Sequence, residues 1–301
     1  MYEQIAANRR RSALLIAFFI VLVAAVGWSV GQVTGLGVAS LPVAVALSLV
    51  LTWSSYYNSD KLVIRLSKAI PVDQVQWPEG QAYLGPRLRN VVEGMAIAAG
   101  LPVPKTYVIY DPAPNAFATG RDPQHSAIAV TSGLLEKMDR VELEGVIGHE
   151  MSHIRNHDIL VTTLAVVMAG VIALLSDWLL RGFWRMGGRR RSGGAVVGIA
   201  GLVLAILAPV IAMVIQMAVS RRREFLADAS GVQLTRYPPG LISALRKLKA
   251  DSTVVRTGSR ATAHLWIESP LDRSGAGSSW LNRLFDTHPP LDERIRILES
   301  M

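Results

Sequence analysis

The chain has 301 residues, half of them hydrophobic, with a net charge of +8 and a mean hydropathy of +0.32, high for a protein that meets only water. It contains no cysteine, which excludes disulfides, thiolate catalysis and cysteine-held zinc and leaves histidine and carboxylate as the only strong metal donors. The positive charge gathers as arginines beside apolar runs, and no basic stretch is interleaved with aromatics, so it marks membrane flanks rather than a face for RNA or DNA.

From Ser12 to Ser59 no residue is charged, and a Gly-rich break, GQVTGLG at 31–37, divides the stretch in two. Each run has about the 20 residues that a helix needs to cross a bilayer. Arg9, Arg10 and Arg11 in front of the first could also be the n-region of a cleaved signal peptide, but the run that follows is longer than the usual h-region.

Residues 60–157 have ordinary composition. GPRLRNVVEGMAIAAG (85–100) carries apolar residues at helical spacing and stops at Gly100. KTYVIYD (105–111) and SAIAVTSG (126–133) are β-branched runs bounded by turn residues and are expected as strands, with NAFATG (115–120) an extended edge between them. The helical pattern returns from Arg140 through His157, so the segment forms a small α+β unit.

Two more uncharged runs follow, Ile159–Leu175 and Ser192–Ser220, giving four expected transmembrane helices. Arg9–Arg11, Lys61, Arg65, Lys68 and Arg221–Arg223 all fall inside if the N-terminus is cytoplasmic. Arg181, Arg185, Arg189, Arg190 and Arg191 conflict with this, because two fully spanning helices place them outside. Either the other charges override them, or the second hairpin is re-entrant. Both versions return the chain to the side it left. Residues 221–301 are expected to be mostly helical, interrupted by a Gly- and Ser-rich loop, SPLDRSGAGSSW, at 269–280. The organisation is thus a first membrane hairpin (1–59), the first part of a soluble domain (60–157), a second hairpin (158–220) and the second part of that domain (221–301).

The chemistry is concentrated in HEMSHIRNHD, residues 149–158. His149 and His153, at i and i+4, share one helix face and can bind one cation, with Glu150 beside them to take a proton from activated water. Zinc suits such donors and keeps a position open in catalytic sites. His157 extends the spacing, but three histidines over more than two turns do not converge on one ion, so it is expected as a polar neighbour or a membrane-interface residue. A third ligand is needed, and Glu224 in SRRREFLADASG (220–231) is the best candidate, because a membrane hairpin brings it back beside the histidines; an exposed glutamate balancing three arginines is the alternative.

The motifs HEMSHIRNHD, NAFATG, SRRREFLAD and THPPLDERI, together with four apolar runs in these places, resemble the HtpX-type membrane zinc metalloproteases of bacteria, a gluzincin family related to the CAAX prenyl endopeptidases of eukaryotes. The resemblance covers essentially the whole chain. It implies a membrane α-helical protein with four transmembrane helices and a cytoplasmic α+β zincin-like metalloprotease domain. It implies one Zn(2+) per chain on His149, His153 and Glu224, with Glu150 as the catalytic glutamate. Asp228 matches an aspartate described as a possible proton donor; on physical grounds a contact that orients a zinc histidine is preferred. His288 and Arg294 match residues that resemble transition-state or carbonyl contacts, although Pro289 and Pro290 may be read simply as a helix start with His288 as its cap. Asn115, Ala116 and Phe117 are expected to bind substrate backbone by strand addition, or else to form a plain edge strand.

The motif supports a zinc endopeptidase, and the resemblance implies one in the bacterial inner membrane that cleaves misfolded or damaged membrane proteins or unfolded polypeptides at the cytoplasmic face. A catalytically silent zinc scaffold or regulator is the alternative, and the intact Glu150 argues against it. A transporter is disfavoured, because the apolar runs supply no charged midplane pathway. Substrate, cleavage preference and oligomeric state are not legible.

Overall fold

A computed structural model describes residues 2–35, 37–187, 221–253, 255–256, 265–268 and 289–301. The fourth apolar run, Arg189–Arg191, the 269–280 loop and His288 lie outside the described residues.

Helices α1 (Tyr2–Thr34) and α2 (Ser40–Leu66) form an antiparallel pair. The turn falls at Gly35 and Gly37, both at positive φ, in the second half of the Gly-rich break at 31–37. At 1.5 Å per residue α1 is about 50 Å long, more than the roughly 30 Å of a hydrocarbon core, so its end projects beyond lipid. The pair packs through small residues: a Cβ on Gly27 would lie 2.8 Å from that of Ala44, and one on Gly31 would overlap Ser40. Helix α2 buries Ser40, Ser48, Thr52, Ser55 and Ser59 while exposing Val43, Leu47, Val50 and Trp53. Polar inward and apolar outward is the reverse of what water selects and is what lipid selects. At its far end α2 runs through residue 59 without a break and inserts Val63 and Ile64 into the soluble unit's core.

That unit is α+β, as its sequence predicts. Strands β1 (Ile70–Pro71), β2 (Lys105–Ile109), β3 (Ala116–Gly120) and β4 (Ser126–Thr131) form one sheet in the order β1-β2-β4-β3, with β2 parallel to β4 and the other pairs antiparallel. Strand β3 is an edge, with Ala116 opposite Val130. Helix α3 (Leu84–Ala99) ends at Gly100, whose left-handed φ of 67° no branched residue would adopt cheaply. Helix α4 (Ser132–Lys137) leads into α5 (Arg140–Arg155), which opens with a reciprocal cap: the Glu142 N–H donates to Asp139 at 2.8 Å, and the Asp139 N–H donates to Glu142 at 2.8 Å.

Helix α5 stops at Asn156, and His157 takes φ 57° in the turn. Helix α6 (Asp158–Gly187) leaves at 83° to α5. From Ile159 to Ile172 the third apolar run is covered by protein. Leu160, Val161, Leu164, Ala165, Met168 and Ile172 pack with Leu15, Phe19 and Val23 of α1, and the Thr163 hydroxyl meets Thr119 of β3 at 2.9 Å. Among the described residues, two helices, over Ile5–Ser29 and Gly37–Leu66, are long and apolar enough to span a membrane, and α5 with α6 would make a bent third.

Helices α7 (Arg221–Thr235), α8 (Pro238–Ala250) and α9 (Leu291–Glu299) complete the soluble unit. Helix α5 is the central element, and its glycines let α7 and α8 approach at backbone distance. A Cβ on Gly231 of α7 would sit 2.8 Å from the His149 nitrogen, and one on Gly145 would sit 2.7 Å from that of Leu241 in α8. Gly231→Val would therefore push α7 away from the histidines. We expect loss of peptidase activity together with a lowered melting temperature in detergent, whereas the same change at Gly94, where a Cβ meets nothing, should leave activity within about twofold.

Candidate active site

Helix α5 places His149 and His153 one turn apart on the face turned toward α7, and α7 presents Glu224 to both. The two Nε2 atoms are 3.2 Å apart; Glu224 Oε2 is 3.6 Å from His149 Nε2, and Glu224 Oε1 is 3.7 Å from His153 Nε2. A tetrahedral zinc with bonds of about 2.0–2.2 Å separates its ligand atoms by about 3.3–3.6 Å. The three donors therefore stand within about 0.1 Å of the mutual spacing that zinc requires, with Glu224 turning one oxygen to each histidine. Glu224 lies beside the two histidines, and His157, in the turn beyond α5, stays outside the cluster.

Electrostatics point the same way. Burial disfavours a charged His153, yet Glu224 and then Asp158 outweigh it and raise its pKa to about 9. Two carboxylates around a buried imidazole call for positive charge, which a divalent cation among the three donors would supply.

Each histidine has its other nitrogen on a carboxylate. His149 Nδ1 meets Asp228 Oδ1 at 2.8 Å, and His153 Nδ1 meets Asp158 Oδ2 at 3.1 Å. Each carboxylate is held in turn by a buried arginine. Arg294 donates from Nε (2.8 Å) and Nη2 (2.6 Å) to Asp228, and Arg223 Nε lies 2.8 Å from Asp158 Oδ1. The two chains, His149–Asp228–Arg294 and His153–Asp158–Arg223, fix each ring so that Nε2 faces the cluster. Burial opposes the charge on Asp228, but Arg294 and His149 bring its pKa down to about 2. Arg294 is wholly buried, with Nη1 donating to the Ile267 carbonyl at 3.0 Å and Nη2 3.3 Å from His149 Nδ1, the ring nitrogen opposite the one that faces the donor cluster.

Glu150 is buried beside the donors. Burial pushes its carboxyl pKa up, His149 and His153 pull it back, Glu224 raises it, and the Ala118 backbone amide favours the charged form. The free edge of β3 thus runs past the candidate base. Its Ala116 end is held by the chain itself: the Ile267 N–H donates to the Ala116 carbonyl at 2.9 Å, and the Asn115 amide donates to the Glu268 carbonyl at 2.9 Å. Phe117 points to the other side, edge-on to the buried Trp266 at 4.9 Å between ring centroids. Of the three residues expected to bind substrate, all are engaged by the chain in this structure.

Asp158, Arg223 and the backbone of Ala118 were not singled out by their sequence context. Asp158 directly follows the histidines and breaks an otherwise apolar boundary, and that position was the available signal. Arg223 was hidden among three arginines that also serve as membrane flank.

A sheet edge, a histidine pair on one helix and a glutamate on a second define a metallopeptidase attached to apolar helices. Residues 84–301 match the model of Peptidase family M48. The chain is 43% identical over 311 residues to the protease HtpX homolog of Lactobacillus acidophilus, covering 100% of each, and 43% identical over 307 residues to that of Caldanaerobacter subterraneus, covering 100% of this chain and 98% of that protein. The crystal structure of S. mikatae Ste24p superposes with a TM-score of 0.49 at 17% identity, over 99% of this chain and 67% of that one. The chain belongs to Peptidase family M48, and it is a metalloprotease of the membrane-associated HtpX type.

Proposed function

We propose that the protein is a zinc endopeptidase that cleaves misfolded or damaged membrane proteins at the cytoplasmic face of a bacterial inner membrane. His149, His153 and Glu224 would hold the ion. Zinc supplies a Lewis acid that lowers the pKa of water and polarises a carbonyl. The observation that carries the reading is the convergence of these three donors with the buried Glu150 beside them.

Glu150 is the general base that receives a proton from the attacking water and passes it to the leaving amine. Asp228 and Asp158 hold the two imidazoles in place, and Arg294 acts through Asp228 as a positioning residue rather than as a contact to substrate. The β3 edge near Ala118 offers backbone groups to an extended substrate, which gives affinity without demanding a sequence. Asn115 and Ala116 join that surface when the Ile267–Glu268 backbone is displaced from them. His288, in THPPLDERI, is the candidate for a transition-state contact by its resemblance to the family's motif. The inward charges at Arg9–Arg11, Lys61, Arg65 and Lys68 favour a cytoplasmic catalytic domain, and residues 158–220 would complete the membrane part as a second hairpin, spanning or re-entrant. Closeness of the donors to α6 and α1 suits a substrate that emerges from lipid.

The test is purification in detergent with a chelator, restoration of zinc, and mass spectrometry of the fragments released from the protein itself or from an added unfolded polypeptide. Fragments that appear only after zinc is restored support the reading. Identical fragments with and without zinc would contradict it.

A further inference from the structure

Asn8 is 3% exposed, although its neighbours Arg9 and Arg10 on α1 face outward. A buried primary amide must find partners, and those of Asn8 lie more than a hundred residues away. Its Nδ2 donates to Asp158 Oδ1 at 2.6 Å and to the Asn156 carbonyl at 2.9 Å, while its Oδ1 accepts from Arg223 Nη2 at 3.4 Å. The NH2 group thus faces two acceptors and the carbonyl faces a donor, the orientation in which both ends of the amide are used. Asp158 is the first residue of α6, and its other oxygen takes the Nδ1 contact of His153.

We propose that Asn8, on the first membrane helix, is a positioning residue for the metal ligand His153 and makes a fully ordered zinc site depend on docking of that helix. The inference rests on the zinc-site reading above. Arg223 holds Asp158 Oδ1 from one side only. Without Asn8 the carboxylate keeps Arg223 on Oδ1 and the His153 ring on Oδ2, and the ring it is meant to orient becomes one of its own supports. Asn8 grips the same oxygen from α1 and also ties the Asn156 carbonyl in the turn between α5 and α6. With both anchors in place the carboxylate plane is fixed and Oδ2 stays aimed at His153. Loss of Asn8 leaves the three donors present but lets one of them wander, and the cost appears as weaker metal binding.

The measurement is zinc affinity by competition with a chromogenic chelator on the full-length protein in detergent, for the wild type, Asn8→Ala, Asn8→Leu, Asp158→Ala and the double variant Asn8→Ala/Asp158→Ala. Asn8→Leu keeps the branched shape without the amide and adds no charge beside Asp158, so it remains informative if the alanine variant does not fold. We expect Asp158→Ala to weaken zinc binding about 10–100-fold, and each Asn8 variant to weaken it by about the lower end of that range. The double variant should bind no more weakly than Asp158→Ala alone, because Asn8 acts through Asp158. A role limited to general stability would lower the melting temperature without this non-additivity. Asn8 variants that bind zinc as the wild type does, or losses that multiply in the double variant, would overturn the inference. A wild type that binds no zinc would instead overturn the proposed function.

Discussion

Glu150→Gln should abolish detectable peptide hydrolysis, lowering kcat by about 10²–10⁴ as expected for loss of a general base, while zinc content stays at one per chain. Shape and volume are conserved, and the substitution leaves His149, His153 and Glu224 untouched. The melting temperature should not fall, because burial already pushes the Glu150 carboxyl toward its neutral form, and a neutral amide relieves the cost of a buried charge. Activity lost with metal and stability retained is the signature of a base. A variant that loses zinc with its activity would show that Glu150 instead belongs to the metal shell, and unchanged hydrolysis would favour a silent scaffold.

Arg294→Met should have the largest effect on stability. The guanidinium is fully buried and gives two N–H groups to Asp228, which is itself 1% exposed. Removing one partner of such a pair strands the other charge and costs about 3–5 kcal/mol. Asp228 would then swing toward His149 or take up a proton, and the ring it orients would lose its fixed direction. The expected readout is a large drop in melting temperature in detergent together with weaker zinc retention. Arg294→Lys should recover only part of this, since one ammonium cannot match a fork that holds two atoms of Asp228 and the Ile267 carbonyl together. If Arg294 were instead an oxyanion contact, the Met variant would lose kcat with zinc binding and melting temperature intact.

The contrast between these two residues shows what the sequence could and could not reveal. His149, Glu150 and His153 are legible because a four-residue spacing on a helix converts directly into a shared face. Glu224 is only half legible: a hairpin returns the chain to the side it left, which allows an exposed glutamate equally well, and the resemblance to the family decides between them. Strands β2 and β4 and the edge position of β3 follow from β-branched runs bounded by turns. For Arg294 the motif offers only a resemblance to a transition-state or carbonyl contact. A motif gives an arginine's neighbourhood but not the direction of its fork, and here the fork is turned to Asp228.

The third apolar run shows a second limit. Hydropathy reports that Ile159–Ile172 avoids water, but not whether lipid or protein takes the place of water. Here α1 and β3 cover much of it. Pairings such as Asn8 with Asp158, or Gly231 against His149, join residues far apart in the chain through single atoms and leave no local pattern. Helix α1 likewise continues through the polar residues before Ser12, because its first turns are held by the soluble unit rather than by apolar content.

Zinc-edge X-ray absorption on the purified, active protein tests the metal centre most directly. A site built from His149, His153 and Glu224 predicts a four-coordinate ion with two imidazole nitrogens at about 2.0–2.1 Å and oxygen at about 2.0–2.2 Å, and loss of that shell in Glu224→Ala. A six-coordinate oxygen shell, or a spectrum unchanged in Glu224→Ala, would contradict it.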